Sequence, residues 1–126
     1  GIFAAGDIAQ FPDARTGEPT RVEHWVVAQR QGQVAARNIL GHAEPFTSVP
    51  FFWTNQFDIA VRYVGHATAW DEVRVRGDVR ARDCTIEYVK DDTMLATATV
   101  NRDHAALEAE LAIEAASTGA LHAQIS

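Results

Sequence analysis

The fold class is decided in the middle of the chain, at Cys84-Thr85-Ile86-Glu87-Tyr88-Val89-Lys90-Asp91-Asp92-Thr93-Met94. Cys84, Ile86 and Tyr88 form one face and Thr85 and Glu87 form the other, which is the two-residue period of a strand. Residues 90–93 are polar and predict a hairpin connection to a second strand at 94–100. This stretch therefore predicts two adjacent antiparallel strands.

More strands are predicted upstream of this hairpin. Residues 59–64 alternate and end at Gly65, while residues 73–80 place valines on one face and arginines on the other. Phe51-Phe52-Trp53 is a run of aromatics, and because a strand points alternate residues to one face, such a run must serve two surfaces. Successive short strands with tight turns favour an α+β fold built on an antiparallel sheet of about four or five strands.

Two helices flank the predicted sheet. The first is expected over residues 21–40, with Thr20 and Glu23 at the spacing of a capping box. Gly41 stands where a C-terminal glycine cap belongs, and Pro45 blocks continuation. Glu23 keeps two interpretations at this point: a residue that folds back onto its own helix end, or a residue of a binding site.

The second helix is predicted to begin near Asp103, which can cap it, and to pack against the sheet. Leu107, Leu111 and Ala115 mark an apolar stripe at helical spacing. The sequence Ser-Thr-Gly at residues 117–119 is expected to end this helix.

The first seven residues, Gly1-Ile2-Phe3-Ala4-Ala5-Gly6-Asp7, resemble the end of a buried strand. Gly6 would allow close approach of a backbone or ligand, and Asp7 would lie at the edge of a sheet where ligands bind. A strand needs a neighbour for its backbone groups, so we expect partner strands outside this sequence. The predicted organisation is a remnant of one domain at residues 1–45 and a second domain at residues 46–126.

Composition narrows the function. The 126 residues carry a net charge of −6, which argues against general nucleic-acid binding. No apolar run approaches the roughly 20 residues of a membrane span, and the N-terminus does not resemble a signal peptide. The single cysteine, Cys84, allows no intrachain disulfide and no CxxC motif, which favours a cytoplasmic location.

Three motifs in this order resemble the C-terminal part of the FAD-dependent pyridine-nucleotide oxidoreductases, in the branch of ferredoxin reductases and apoptosis-inducing-factor-like proteins. The motifs are Phe3-Ala4-Ala5-Gly6-Asp7, Arg21-Val22-Glu23-His24-Trp25 and Pro50-Phe51-Phe52-Trp53-Thr54. Each motif is short, but the ordered set with this spacing is fairly specific, and the resemblance covers residues 1 to about 116.

The resemblance implies a cofactor site in this chain. Asp7 would bind the ribityl–pyrophosphate region of FAD, and Glu23, His24 and Trp25 would contact FAD, the nicotinamide or both. Trp53 would pack by the isoalloxazine ring. The N-terminus of the first helix, with its free N–H groups and partial positive charge, would stabilise the negative charge of a reduced flavin.

The implied activity belongs to a longer parent protein that oxidises NAD(P)H through FAD and passes electrons singly to a ferredoxin-like or other one-electron acceptor. No His-Pro pair of the disulfide-reductase kind occurs, and an iron–sulphur protein fits better as acceptor. No G-x-G-x-x-G phosphate motif occurs either, so we expect this segment alone to be inactive and to contain no catalytic or metal-binding residue.

Several alternatives stay open. The arginines at positions 74, 76, 80 and 82 could form a docking surface for an acidic partner, although an ordinary solvated strand face is the preferred interpretation. The whole segment could instead be a non-catalytic module that forms a homodimer or docks a partner. A small lone domain with an unrelated ligand at residues 51–53 is the third alternative.

Overall fold

The computed structural model describes the backbone of residues 1–125 and the side chains of residues 1–117. Its elements in chain order are β1 (Phe11–Pro12), β2 (Pro19–Thr20), α1 (Trp25–Ile39), β3 (Phe51–Gln56), β4 (Ile59–Gly65), β5 (Glu72–Asp78), β6 (Asp83–Lys90), β7 (Thr93–Val100) and α2 (Asp103–Ile125). The chain is α+β, and the predicted fold class is confirmed.

The main sheet has five antiparallel strands in the order β3-β4-β7-β6-β5. The predicted hairpin at residues 84–100 is β6 and β7, with Lys90 opposite Thr93. β7 stands third in this order of five and is therefore the central strand. β1 and β2 form a separate two-stranded ribbon within the long connection that precedes α1.

The two faces of the main sheet differ. In one row across the sheet, Phe51 stands opposite Val64, Val64 opposite Thr97, and Thr97 opposite Glu87. We call the face that carries this row the covered face, because α2 packs on it. Its core is formed by four buried residues, Val49, Val64, Ala106 and Ile113. The other face carries Phe52, Tyr63 and Tyr88 and is called the open face.

The stripe predicted on the second helix is wrong. Leu107 and Leu111 are 56% and 66% exposed, whereas the residues that α2 buries against the sheet are Ala106, Ala109, Ile113 and Ser117. Small side chains let the helix axis approach the sheet closely, and each residue along a helix turns its side chain by about 100°. Moving the buried stripe by one position therefore turns the leucines towards solvent.

The helix ends agree with the sequence predictions only in part. Gly41 has φ +93°, and the His42 and Gly41 N–H groups donate to the carbonyls of Arg37 and Asn38, so the predicted glycine cap is confirmed as a Schellman motif. The second helix runs on to Ile125, past the predicted end at residues 117–119. Ser117 does not stop it, because its hydroxyl donates to the Ile113 carbonyl one turn back.

The predicted capping box of the first helix is wrong. Thr20 belongs to β2, and its hydroxyl donates to the carbonyl of Glu18. The helix begins at Trp25 with His24 as its N-cap residue, and the His24 side chain makes no capping hydrogen bond. Because residues 21–24 lie outside the helix, Glu23 cannot occupy the third helical position that a capping box requires.

Residues 1–5 form no strand within these 126 residues, and their pairing with strands outside this sequence stays a prediction. A strand is defined by hydrogen bonds to a neighbour, and no strand among the described residues lies beside this segment. Its end is nevertheless fixed: Gly6, at φ +84°, donates its N–H to Oε1 of the buried Gln31 on α1 at 2.8 Å. Residues 6–7 therefore form a turn over the first half of α1.

The last part of the strand predicted over residues 73–80 is a turn. The Asp78 carboxylate accepts hydrogen bonds from the backbone N–H groups of Arg80 and Ala81, and this local bonding ends β5. Val73 and Val75 share a face as predicted, but β5 is an edge strand and both are about half exposed. Three of the four arginines form ion pairs within the chain: Arg74 with Glu72 and Asp92, Arg76 with Glu87, and Arg82 with Asp58. These pairs favour the ordinary charged face over a basic docking surface.

Candidate functional site

The candidate site lies where the first turn of α1 meets β3. A cavity of about 230 Å³ opens there. Four of the five predicted site residues are in it, and its full lining is Glu23, His24, Trp25, Val26, Phe51, Phe52 and Trp53. The tertiary structure thus brings together two motifs that lie about 30 residues apart in the sequence.

The aromatic run of β3 serves two surfaces, as predicted. Phe51 packs against the core of the covered face. Phe52 points to the open face and meets the His24 ring, with ring centroids 4.9 Å apart and a 30° tilt. Trp53 approaches Trp25 at 5.9 Å and Phe51 at 6.1 Å. Trp25 is 74% exposed and Trp53 is 39% exposed, so their ring surfaces are available to a flat ligand.

The surroundings of His24 favour its neutral form. Burial lowers its pKa below the usual 6.5, the nearby His66 lowers it further, and Asp7 partly offsets both. Its Nδ1 atom is buried and has no hydrogen-bond partner among the described residues. Buried polar atoms in proteins are nearly always satisfied, so a group outside the described residues would have to supply the hydrogen bond of this nitrogen.

The contacts of Glu23 do not fit a capping role. Its carboxylate pairs with the guanidinium of Arg21 at 2.5 Å, and both side chains are more than half exposed. The Arg21 guanidinium also donates to the backbone carbonyl of Asp7 at 3.1 Å. Of the two interpretations of Glu23, the capping one is removed, and a carboxylate at the rim of the cavity remains.

Asp7 does not line the cavity. It lies close enough to His24 to affect the charge of that ring, and it is exposed on the turn that Gln31 holds over α1. A Cβ added at Gly6 would come within 3.7 Å of the Ala28 methyl group. The turn at residues 6–7, its hydrogen bond from Arg21 and its contact with α1 therefore place Asp7 beside the cavity, near the N-terminus of α1.

Sequence reasoning missed Gln31. Gln31 is 5% exposed and fixes the turn that carries Asp7. The sequence could have indicated it, because Gln31 is a polar residue four positions after the buried Val27 and therefore lies on the same helix face. Val26 was also missed, because a valine next to a tryptophan carries no chemical signal. Both residues act by placing other groups.

The first turn of α1 supports an anion-binding role. The first N–H groups of any helix lack an intrahelical acceptor, and here the His24 side chain provides none. The first turn also contains no acidic residue. With the helix dipole, this end favours a negatively charged group. A flat, partly anionic ring system fits the site: aromatic walls, an unpartnered nitrogen and a positive helix end meet at one cavity.

The sequence profile of the "Reductase C-terminal" family matches residues 51–124. The chain belongs to this family. It is 38% identical to apoptosis-inducing factor 3 of Homo sapiens over 104 aligned residues. The aligned residues make up 82% of this chain and 17% of that protein. A ferredoxin–NAD(P)(+) reductase of a Sphingomonas species is 33% identical over 116 residues, covering 90% of this chain and 28% of the reductase.

A solved structure shows the same fold. The reductase chain in the covalent putidaredoxin reductase–putidaredoxin complex superposes with a TM-score of 0.82 at 28% identity, covering 87% of this chain and 26% of that one. The chain thus spans between about a sixth and about a quarter of the length of these relatives. The resemblance inferred from the three sequence motifs is confirmed.

No helix among the described residues is long and apolar enough to cross a membrane.

Proposed function

We propose that this chain is the C-terminal part of a flavoprotein that oxidises NAD(P)H through FAD and passes electrons singly to a ferredoxin-like iron–sulphur acceptor. The observation that carries the proposal is the cavity at which His24, Trp25 and Trp53 meet. Relatives named ferredoxin–NAD(P)(+) reductase, and one bound to putidaredoxin, supply the reaction class. A cytoplasmic location belongs to the same proposal.

Each predicted site residue has a role in this proposal. Bound FAD would accept a hydride from the nicotinamide and release electrons one at a time. Trp53 shields the flavin ring from water, and the first turn of α1 stabilises negative charge on it. Asp7 accepts hydrogen bonds from the ribityl chain. Glu23 accepts a hydrogen bond from the nicotinamide carboxamide, and neutral His24 and Trp25 line the nicotinamide side.

The phosphate-binding sites of both nucleotides are assigned to the rest of the parent protein, because no glycine-rich phosphate motif occurs in these 126 residues. We therefore propose that the chain alone binds no FAD tightly and catalyses no NAD(P)H oxidation. Its part in the reaction is to close one side of the flavin site.

The test is the visible absorption spectrum of the full-length parent and of its Trp53→Ala and Asp7→Ala variants. We expect a yellow parent that is bleached by NADH or NADPH, and flavin loss or a shifted spectrum in both variants. Trp70→Ala is the matched control, since Trp70 is a half-exposed tryptophan that packs on Tyr88, away from the cavity. A colourless parent that cannot be reconstituted with FAD would contradict the proposal.

A homodimer or docking module is the second candidate. The observation in its favour is the outer side of α2, where Leu107 and Leu111 stand one turn apart and exposed. Sedimentation of the chain across a range of concentrations tests it. A stable dimer that Leu107→Gln and Leu111→Gln dissociate supports a second copy as the occupant of this helix face, and a monomer at all concentrations contradicts it.

A further inference from the structure

Arg30 connects α1 to α2 and to the chain segment that leads into β3. Its Nη1 atom donates to the backbone carbonyl of Val49 at 2.9 Å, and its Nη2 atom donates to Oε1 of Glu110 on α2 at 2.9 Å. We propose that Arg30 is a positioning residue, which sets the distance between the first turn of α1 and the aromatic run of β3. The inference rests on the proposed function insofar as these two walls receive the flavin.

The Val49 carbonyl is a suitable anchor. Val49 is 4% exposed and belongs to the core of the covered face, together with Val64, Ala106 and Ile113. It stands two residues before β3 begins at Phe51 and four residues before Trp53. A group that holds this carbonyl therefore holds the start of the strand that forms one wall of the cavity.

The contacts at the cavity itself restrict the distance between α1 and β3 less than the Arg30 hydrogen bonds do. Between the first turn of α1 and β3 they are ring contacts, His24 with Phe52 and Trp25 with Trp53. Such contacts tolerate a range of offsets and tilts, and Trp25 is largely exposed. Hydrogen bonds from a guanidinium are directional, so Arg30 supplies the geometric restraint that the rings do not.

The ion pair with Glu110 adds a second restraint. The Arg30 and Glu110 side chains are 32% and 14% exposed, so the pair is partly shielded from water. Because the guanidinium is a planar fork, its orientation is fixed once both nitrogens are bonded. A lysine ammonium can donate to more than one acceptor, but it does so from a single nitrogen on a flexible stem, so it holds the Val49 carbonyl and the Glu110 carboxylate less firmly in place.

The test uses the 126-residue chain without flavin, so it reads the geometry of the two walls and not cofactor binding. The readout is the exciton couplet of neighbouring indoles in circular dichroism, taken as the part of the signal that Trp25→Phe removes. The variants are Arg30→Met, Arg30→Lys and Glu110→Gln. Arg102→Met is the matched control, because Arg102 is also 32% exposed and ion-paired, but with Asp83 on β6.

We expect Arg30→Met to lose most of the Trp25-dependent couplet, Arg30→Lys and Glu110→Gln to lose part of it, and Arg102→Met to keep it. If Arg30→Met does not fold, the other two variants decide, measured well below their thermal midpoints. Folded Arg30 and Glu110 variants with the full couplet would overturn the proposal. A loss equal to that of Arg102→Met would also overturn it. Because the couplet is measured without flavin, its result can be interpreted even if the parent protein fails the flavin test.

Discussion

At the scale of single residues, Gly65 shows how closely α2 approaches the sheet. It has φ +87°, and a Cβ at this position would stand 2.3 Å from the Leu95 carbonyl oxygen and 3.1 Å from Cδ1 of Ile113. A separation as short as the first does not occur between real Cβ atoms and backbone oxygens. The glycine is therefore required both by its backbone conformation and by the space available.

Gly65→Ala is expected to lower the free energy of unfolding by about 3 kcal/mol, from roughly 1–2 kcal/mol of left-handed backbone strain and a similar cost of overpacking. Gly17→Ala is the control, because Gly17 has φ +73° but, apart from its two chain neighbours, the described residues place no atom within 4 Å of the position that a Cβ would take. It should cost about 1 kcal/mol. Urea unfolding midpoints measure both, and equal losses would contradict the packing argument.

His24 gives a second prediction at this scale. Because burial and His66 lower its pKa below 6.5, we expect its ring to titrate below that value in nitrogen-detected NMR. Asp7→Asn should lower the pKa further, since the Asp7 carboxylate raises it, and His66→Gln should raise it. A His24 pKa that neither variant changes would contradict the placement of Asp7 and His66 beside this ring.

The lowered pKa of His24 also predicts how the stability of the fold changes with pH. A group whose pKa is lower in the folded state than in the unfolded state stabilises the fold above its unfolded pKa, and this contribution is lost as the pH falls through the folded pKa. We therefore expect His24→Phe to lose less stability than the unmodified chain when the pH falls below about 6.5. Parallel urea titrations at several pH values check this, and identical pH profiles would contradict it.

At the scale of elements, the register of α2 is the feature that sequence patterns misjudged. The helix is rich in alanine and leucine on most sides, so two neighbouring stripes are apolar, and periodicity alone cannot separate them. In the folded chain Ala106, Ala109 and Ile113 are buried and the stripe of Leu107 and Leu111 is exposed.

This register predicts opposite outcomes for two residues of α2. Ile113→Ala should lower the free energy of unfolding by about 2–5 kcal/mol, because Ile113 is 2% exposed in the core and its truncation leaves a cavity. Leu111→Ala should change it by less than about 0.5 kcal/mol, because Leu111 is 66% exposed. Thermal or urea unfolding measures both. The reverse order would mean that the stripe of Leu107 and Leu111 faces the sheet after all.

At the scale of the whole molecule, two arginines before position 46 bond to residues after that position. Arg15 donates from Nη1 to the carbonyl of Leu95 on β7 at 2.8 Å, and its Nη2 bonds Asp13 and the His66 carbonyl. Arg30 bonds Val49 and Glu110. Both arginines cross the proposed boundary between residues 1–45 and 46–126.

We therefore expect the chain to unfold in one cooperative transition, with near-ultraviolet dichroism from Trp25 and Trp53 coinciding with loss of helical signal. Arg15→Met should lower the common midpoint, because it leaves two partly buried carbonyls without their donor. Two separate transitions, with the tryptophan signal lost first, would show instead that residues 1–45 form a unit of their own.

Local patterns in the sequence were enough to predict the strand periods of residues 84–100, the two surfaces served by Phe51 and Phe52, and the glycine cap at Gly41. They were also enough to predict the family, through three motifs in order. Side-chain alternation, glycine conformation and short residue patterns need no knowledge of distant parts of the chain.

The start of α1, the register of α2 and the convergence of His24 with Phe52 and Trp25 with Trp53 became known only from the folded chain. The same holds for residues 1–5, which stay unpaired here. The physical reason is shared by all four. Helix starts, buried stripes, ring contacts and strand pairing depend on a partner that lies far away in the sequence, and a local pattern gives no information about that partner.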